Sequence, residues 1–130
     1  MELILVIETD PKMRENIGEI LEIAGYRVEY AEDGLEGLQK IFSILPDLVI
    51  CDIYLPGLSA SGILDSIGNS PETGKIPFIV LTPNQSRDGQ TLDQYEGQGY
   101  LSIPFDYFQL IDAVEEQLKS NQSALTKISS

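Results

Sequence analysis

Residues 48–57 read LVICDIYLPG, from Leu48 to Gly57. An apolar run ends on a carboxylate, Asp52, and a turn-forming YLPG follows directly. A strand buried on both faces reads as a continuous apolar run, and a charged Asp inside such a run is costly without a partner. Leu48 to Cys51 is therefore expected to be a central strand, with Asp52 at its end, where the chain turns toward solvent or a site.

The same alternation extends in both directions. Upstream, Leu3 to Ile7 (LILVI) is a short apolar run that stops at Glu8-Thr9-Asp10-Pro11, a cluster suited to opening a helix. Pro11 fits the first turn, where a missing N–H is harmless, and Met13, Ile17, Ile20, Leu21 and Ala24 recur at helical spacing before Gly25. Arg27 to Ala31 (RVEYA) alternates as a half-buried strand, and Leu35, Leu38, Ile41, Phe42 and Leu45 form a helical stripe that ends before Pro46. Downstream, Ile63, Leu64 and Ile67 mark a short helix closed by Gly68; Phe78 to Leu81 (FIVL) and Tyr100 to Ile103 (YLSI) read as strands. Between those two strands, Ser86 to Tyr95 is a weak helical segment, being largely polar with Gly89 inside it. Phe108, Leu110, Ile111, Val114, Glu115 and Leu118 make a last helix, with Tyr107 and Phe108 expected as core contacts more than as a partner surface. Ser120 to Ser130 has no sustained pattern, which divides the chain into a domain over 1–119 and a polar C-terminal tail or linker start over 120–130.

Five strands alternating with five helices imply an α/β fold, a doubly wound parallel sheet with helices on both faces, because parallel neighbours need crossovers of fixed hand. In such a sheet the ligand site lies outside the carboxyl ends of the strands, at the switch point. Those ends carry Glu8, Asp52 and Thr82, so Asp52 is expected to face a shared crevice.

Bulk properties narrow the chemistry. A chain of 130 residues suits one domain, and no apolar run reaches the roughly 18 residues of a membrane span. The start, MELILVIETD, lacks the basic front and small-residue cleavage site of a secretory signal, so the expectation is a cytoplasmic domain with no membrane partner. The lone Cys51 lies in the apolar run and reads as core; the absence of histidine removes the usual general base and His-activated nucleophiles. A net charge of −13, with only eight Lys and Arg spread along the chain, argues against direct nucleic-acid binding. Two carboxylates at one crevice repel unless a cation relieves them, and hard oxygen donors suit Mg²⁺.

The segments ILVIETDP, PDLVICDIYLPG, IPFIVLT and GYLSIPF, in that order, resemble the receiver domain of two-component response regulators over about Leu3 to Leu118. The resemblance implies a flavodoxin-like five-stranded fold that accepts phosphate from a histidine kinase or phosphotransfer protein and is not itself an enzyme. It implies that Asp52 is the phosphoacceptor, that Glu8, Asp52 and the Tyr54 carbonyl hold Mg²⁺, that Thr82 grips the phosphoryl group, and that Tyr100 is the switch aromatic. It also implies a cis peptide before Pro104, and contacts to an output domain or a second copy of the chain.

Departures from the family's pattern accompany these matches. The acidic pair, normally two adjacent Asp residues, is Glu8-Thr9, and Thr9 offers only a neutral oxygen; Asp10, one residue on, is turned away by the shift in register. The lysine expected in YL-x-K-P-F is Ile103, and no lysine stands near that motif. Thr82 is followed by Pro83, which has no N–H to offer a phosphoryl oxygen. Ser59 and Ala60 stand where the family often has Asp-Gly. Charge-assisted hydrogen bonds contribute about 1.5 to 3 kcal/mol each, so losing two weakens phosphoryl stabilisation by about two orders of magnitude or more. The sequence thus supports a receiver with Asp52 as phosphoacceptor at a degenerate Mg²⁺-dependent site. The alternative is a pseudo-receiver acting as a phosphorylation-independent interaction module. A Mg²⁺-dependent phosphatase stands third, lacking a general base and a phosphate clamp.

Overall fold

The computed structural model describes residues 1–83 and 98–129, with side chains described up to residue 120. In chain order the elements are β1 (Leu3–Ile7), α1 (Pro11–Ile23), β2 (Arg27–Ala31), α2 (Gly34–Ile44), β3 (Leu48–Asp52), α3 (Ala60–Gly68), β4 (Phe78–Pro83), β5 (Gly99–Ile103) and α4 (Tyr107–Ser129). The helical segment expected from Ser86 to Tyr95 lies outside the described residues. All strand pairs are parallel and the order is β2-β1-β3-β4-β5, which makes the β1/β3 boundary the switch point.

Local chemistry accounts for the helix starts. Asp10 caps α1 by accepting from Lys12 N at 3.1 Å, with Pro11 in the first turn. Asp33 caps α2 through Glu36 N at 2.8 Å, and Ser59 caps α3 through Gly62 N at 3.3 Å. Past α1, Gly25 takes the positive φ of 100° that a helix exit requires. Alternation along the strands then divides the core. Leu5, Ile7, Val49, Cys51, Phe78 and Val80 face α2 and α3, while Ile4, Val6, Leu48, Ile50, Ile79 and Leu81 face α1 and α4.

The structure corrects several expectations from periodicity. Of the stripe expected for α2, Ile41 is buried and Leu38 packs partly buried against the core, but Leu35, Phe42 and the C-cap Leu45 are exposed, and Gly34 and Gly37 are buried in their place. A Cβ on Gly37 would stand 2.5 Å from Ile7 Cδ1, and one on Gly34 would stand 1.8 Å from the Leu58 carbonyl oxygen. The helix lies so close to its neighbours that glycine is what fits, and a hydrophobic pattern is blind to glycine. In α4, Leu110, Val114 and Leu118 fill the inward stripe, whereas Phe108 is 72% exposed and meets Tyr107 edge to face at 5.3 Å. Phe108 precedes Leu110 by two residues, about 200° around the helix, so both cannot face the sheet. These two aromatics are not core contacts. Helical backbone also continues to Ser129, through the segment expected as a polar tail.

Candidate functional site

The β1 and β3 carboxyl ends bring Glu8 and Asp52 together. Glu8 follows β1, is buried, and is fixed by its own amide donating to the Ala31 carbonyl at 3.0 Å. Asp52 is the last residue of β3 and half-buried. The Glu8 carboxyl is pushed up to about 7, first by burial and then by hydrogen bonding with Asp52 and by its charge; the Asp10 and Thr9 amides oppose the shift without cancelling it. The crevice is thus a crowded acid pair, a place where a proton or a cation is favoured.

The Tyr54 amide donates to Asp52 Oδ1 at 3.0 Å, turning the chain sharply after β3 and leaving the Tyr54 ring exposed. Thr82 is buried on β4, one residue past Leu81, the register partner of Asp52. It thus stands at the adjacent strand end on the same edge of the sheet. Tyr100 lies on β5 opposite Val80 and is substantially exposed. Pro83 and Ile103 are register partners at the ends of β4 and β5. Pro83 is exposed, whereas Ile103 is partly buried against the core cluster beneath α1 and α4. The Ile103–Pro104 peptide is cis.

Residues beside these positions have structural roles of their own. Thr9 is exposed, and the Asp10 carboxylate is engaged in capping α1. Ser59 caps α3 while Ala60 is fully buried, so both residues have structural employment. The Cys51 thiol is buried and its pKa is raised well above normal by burial, Asp52 and Glu8, consistent with a core residue and not a nucleophile.

Sequence reasoning missed Arg14. From the first turn and a half of α1 it folds back to the end of β1, its Nη1 donating to the Glu8 carbonyl at 2.8 Å and the Thr9 carbonyl at 3.4 Å. Its Nη2 lies 3.6 Å from Glu32 Oε1. A search for cations along the chain near YLSIPF could not find it; the available signal was an Arg one helical turn after the cap Asp10, within reach of the strand end.

Comparison with known proteins bears directly on this architecture. The Response regulator receiver domain family matches residues 4–115. The chain belongs to that family. This receiver domain is similar to the DNA-binding dual master transcriptional regulator RpaA of Synechocystis sp., 31% identical over 124 residues that cover 92% of this chain and 50% of RpaA. It is also similar to the transcriptional regulatory protein HprR of Escherichia coli, 31% identical over 121 residues covering 92% of this chain and 53% of HprR. The receiver chain thus spans about half the length of these relatives. Among solved structures, a putative response regulator from Chloroflexus aurantiacus superposes with a TM-score of 0.84 at 30% identity, covering 91% of this chain and 98% of that one. A receiver domain protein from Clostridium thermocellum gives 0.84 at 30% identity, with coverage of 95% and 99%. The receiver is a non-enzymatic module of two-component signalling whose fold is the flavodoxin-like order found here. No described helix is long and apolar enough to cross a membrane.

Receiver domains typically bind Mg²⁺. Among the described residues no group of three or more His, Cys, Asp or Glu is gathered to cage a metal. The pair present nevertheless fits a partly hydrated Mg²⁺, which keeps several waters and is commonly held by one or two carboxylates. A buried Glu8 carboxyl raised to about 7 beside Asp52 is a donor set that a divalent cation would relieve.

Proposed function

We propose that this receiver, over residues 1–119, takes a phosphoryl group on Asp52 from a histidine kinase or phosphotransfer protein, at a site weakened by its own substitutions. The supporting observation is the meeting of Glu8 and Asp52 at the switch point, with Thr82 at the next strand end. In the transfer, an Asp52 oxygen forms the new O–P bond as the donor P–N bond breaks, and the imidazole nitrogen leaves with the electron pair. The Tyr54 amide orients Asp52 for that attack, and Thr82 supplies the hydroxyl that grips the transferred group. Glu8, Asp52 and the Tyr54 carbonyl would hold Mg²⁺, which supplies charge neutralisation at the phosphoryl oxygens when bound. Tyr100 is the switch aromatic, and the exposed Tyr100, Tyr107 and Phe108 offer contacts to an output domain or a second copy. The segment from residue 120, helical in backbone to Ser129, serves as a polar tail or a linker start. With a net charge of −13 the domain itself is not a nucleic-acid binder.

The site is degenerate by this reading because Thr9, Pro83 and Ile103 withhold a carboxylate, an amide donor and an ammonium from one dianionic group. A pseudo-receiver working through protein contacts alone is the second reading, favoured by the packing of Ile103 into the core where a lysine would reach the crevice. Intact-mass measurement after incubation with Mg²⁺ and a small phosphodonor separates the two. A phosphoryl mass gain in the wild type that Asp52→Ala abolishes supports the phosphoacceptor. No gain under conditions that modify an ordinary receiver supports the interaction module.

A further inference from the structure

Arg14 is a cation at the carboxyl edge of the sheet that none of the roles above employs. Its side chain is 15% exposed, most of its surface being covered by the surrounding chain. It donates to two successive main-chain carbonyls, those of Glu8 and Thr9, at 2.8 and 3.4 Å. The other end of the fork is braced by the Glu32 carboxylate at 3.6 Å. Glu32 is in turn placed by its own amide, which donates to Glu36 Oε1 at 2.8 Å in the first turn of α2. One connected set of bonds therefore runs from the start of α2, through the β2–α2 turn, to the β1–α1 turn that carries the buried acid.

The direction of these bonds decides what Arg14 does. Its hydrogen bonds go to the backbone carbonyls of Glu8 and Thr9, so Arg14 grips the chain that aims Glu8. Nη1 serves both carbonyls while Nη2 faces Glu32, a division of donors that a planar guanidinium holds fixed and an ammonium on a flexible stem does not. We propose that Arg14 is a positioning residue, holding the Glu8–Thr9 backbone so that the Glu8 carboxyl stays beside Asp52 and a divalent cation meets both acids in register. The cation-binding consequence rests on the proposed phosphoacceptor site; the backbone grip does not.

Three variants test this in the full chain: Arg14→Met, which keeps the stem and removes the fork; Arg14→Lys, which keeps the charge; and Glu32→Gln, which removes the ion pair and spares the carbonyl bonds. Amide hydrogen exchange at Glu8, Thr9 and Asp10 is read against amides of β3, and Mg²⁺ is titrated by tyrosine fluorescence, the chain having no Trp. Arg14→Met is expected to speed exchange in the β1–α1 turn about tenfold or more with β3 unchanged, and to raise the Mg²⁺ dissociation constant several-fold. Arg14→Lys should fall between Met and wild type, and Glu32→Gln should stay within about twofold of wild type in both measurements. Unchanged exchange in a folded Arg14→Met overturns the proposal, and so does accelerated exchange with unaltered Mg²⁺ affinity. If the turn loosens but the wild type binds no Mg²⁺, the grip stands and the Mg²⁺-dependent site is what fails.

Discussion

At the scale of single residues, Glu8 governs how the molecule responds to pH. Its carboxyl rises from 4.5 to about 7 on folding, so between those values the folded state holds a proton that the unfolded chain has lost. The stabilisation is fully present below about 4.5 and is lost as pH rises through about 7, amounting to about 3 kcal/mol at most. Urea midpoints at pH 5 and pH 8 in the absence of divalent ions should therefore differ more for the wild type than for Glu8→Gln, and millimolar Mg²⁺ at pH 8 should recover part of the difference. Equal slopes for both proteins would assign the pH effect to another group. The proposed phosphoacceptor role makes a second prediction: Thr9→Asp combined with Ile103→Lys should raise the extent of Asp52 modification by about tenfold or more. An inert double variant, assayed by intact mass, would remove those two positions as the cause of the weakness. Asp52, Glu8 and Thr82 were legible in the sequence because each ends an apolar run, and the structure sets them along one edge. Arg14 was not legible, because its meaning depends on a helix folding it back onto a strand it follows by several residues.

At the scale of elements, glycine decides how α2 sits. Adding a methyl at Gly34 drives it into the Leu58 backbone at 1.8 Å, whereas at Gly18 the obstacle is the Tyr30 hydroxyl at 1.9 Å, the far end of a side chain that can swing aside. Gly34→Ala should therefore cost more than Gly18→Ala, about 3 kcal/mol or more against about 1, measured by urea denaturation. Gly37→Ala, meeting Ile7 Cδ1 at 2.5 Å, should lie between. Comparable losses at Gly18 and Gly34 would mean that the loop yields as readily as the ring. Strand positions were legible because short apolar runs, as in β1, β3 and β4, and the polar–apolar alternation of RVEYA in β2 have few other readings. The buried face of α2 was legible only at Leu38 and Ile41, because close approach at Gly34 and Gly37 selects for a missing side chain while Leu35, Phe42 and Leu45 point outward.

At the scale of the whole molecule, charge is the dominant unbalanced quantity. The chain carries 21 acidic and eight basic residues, and Arg14–Glu32 is the one ion pair among the described residues. Self-repulsion in the compact state exceeds that in the expanded chain and is screened within about 10 Å at moderate salt. Thermal midpoints should rise by several degrees as NaCl increases from low to half-molar concentration, and a flat response would show that the acids are too dispersed to strain the fold. The parallel sheet and its switch point were readable from the alternation of strands and helices, since connection rules leave few arrangements. How far the last helix runs was not, because Ser, Asn and Thr after Leu118 carry no apolar period, yet the backbone stays helical to Ser129.

The Tyr54 amide, by engaging Oδ1 of Asp52 at 3.0 Å, stops that carboxylate from spinning about its Cβ–Cγ bond. Its two oxygens are then unlike, so under the proposed phosphoacceptor role a donor would meet an asymmetric group from the outset.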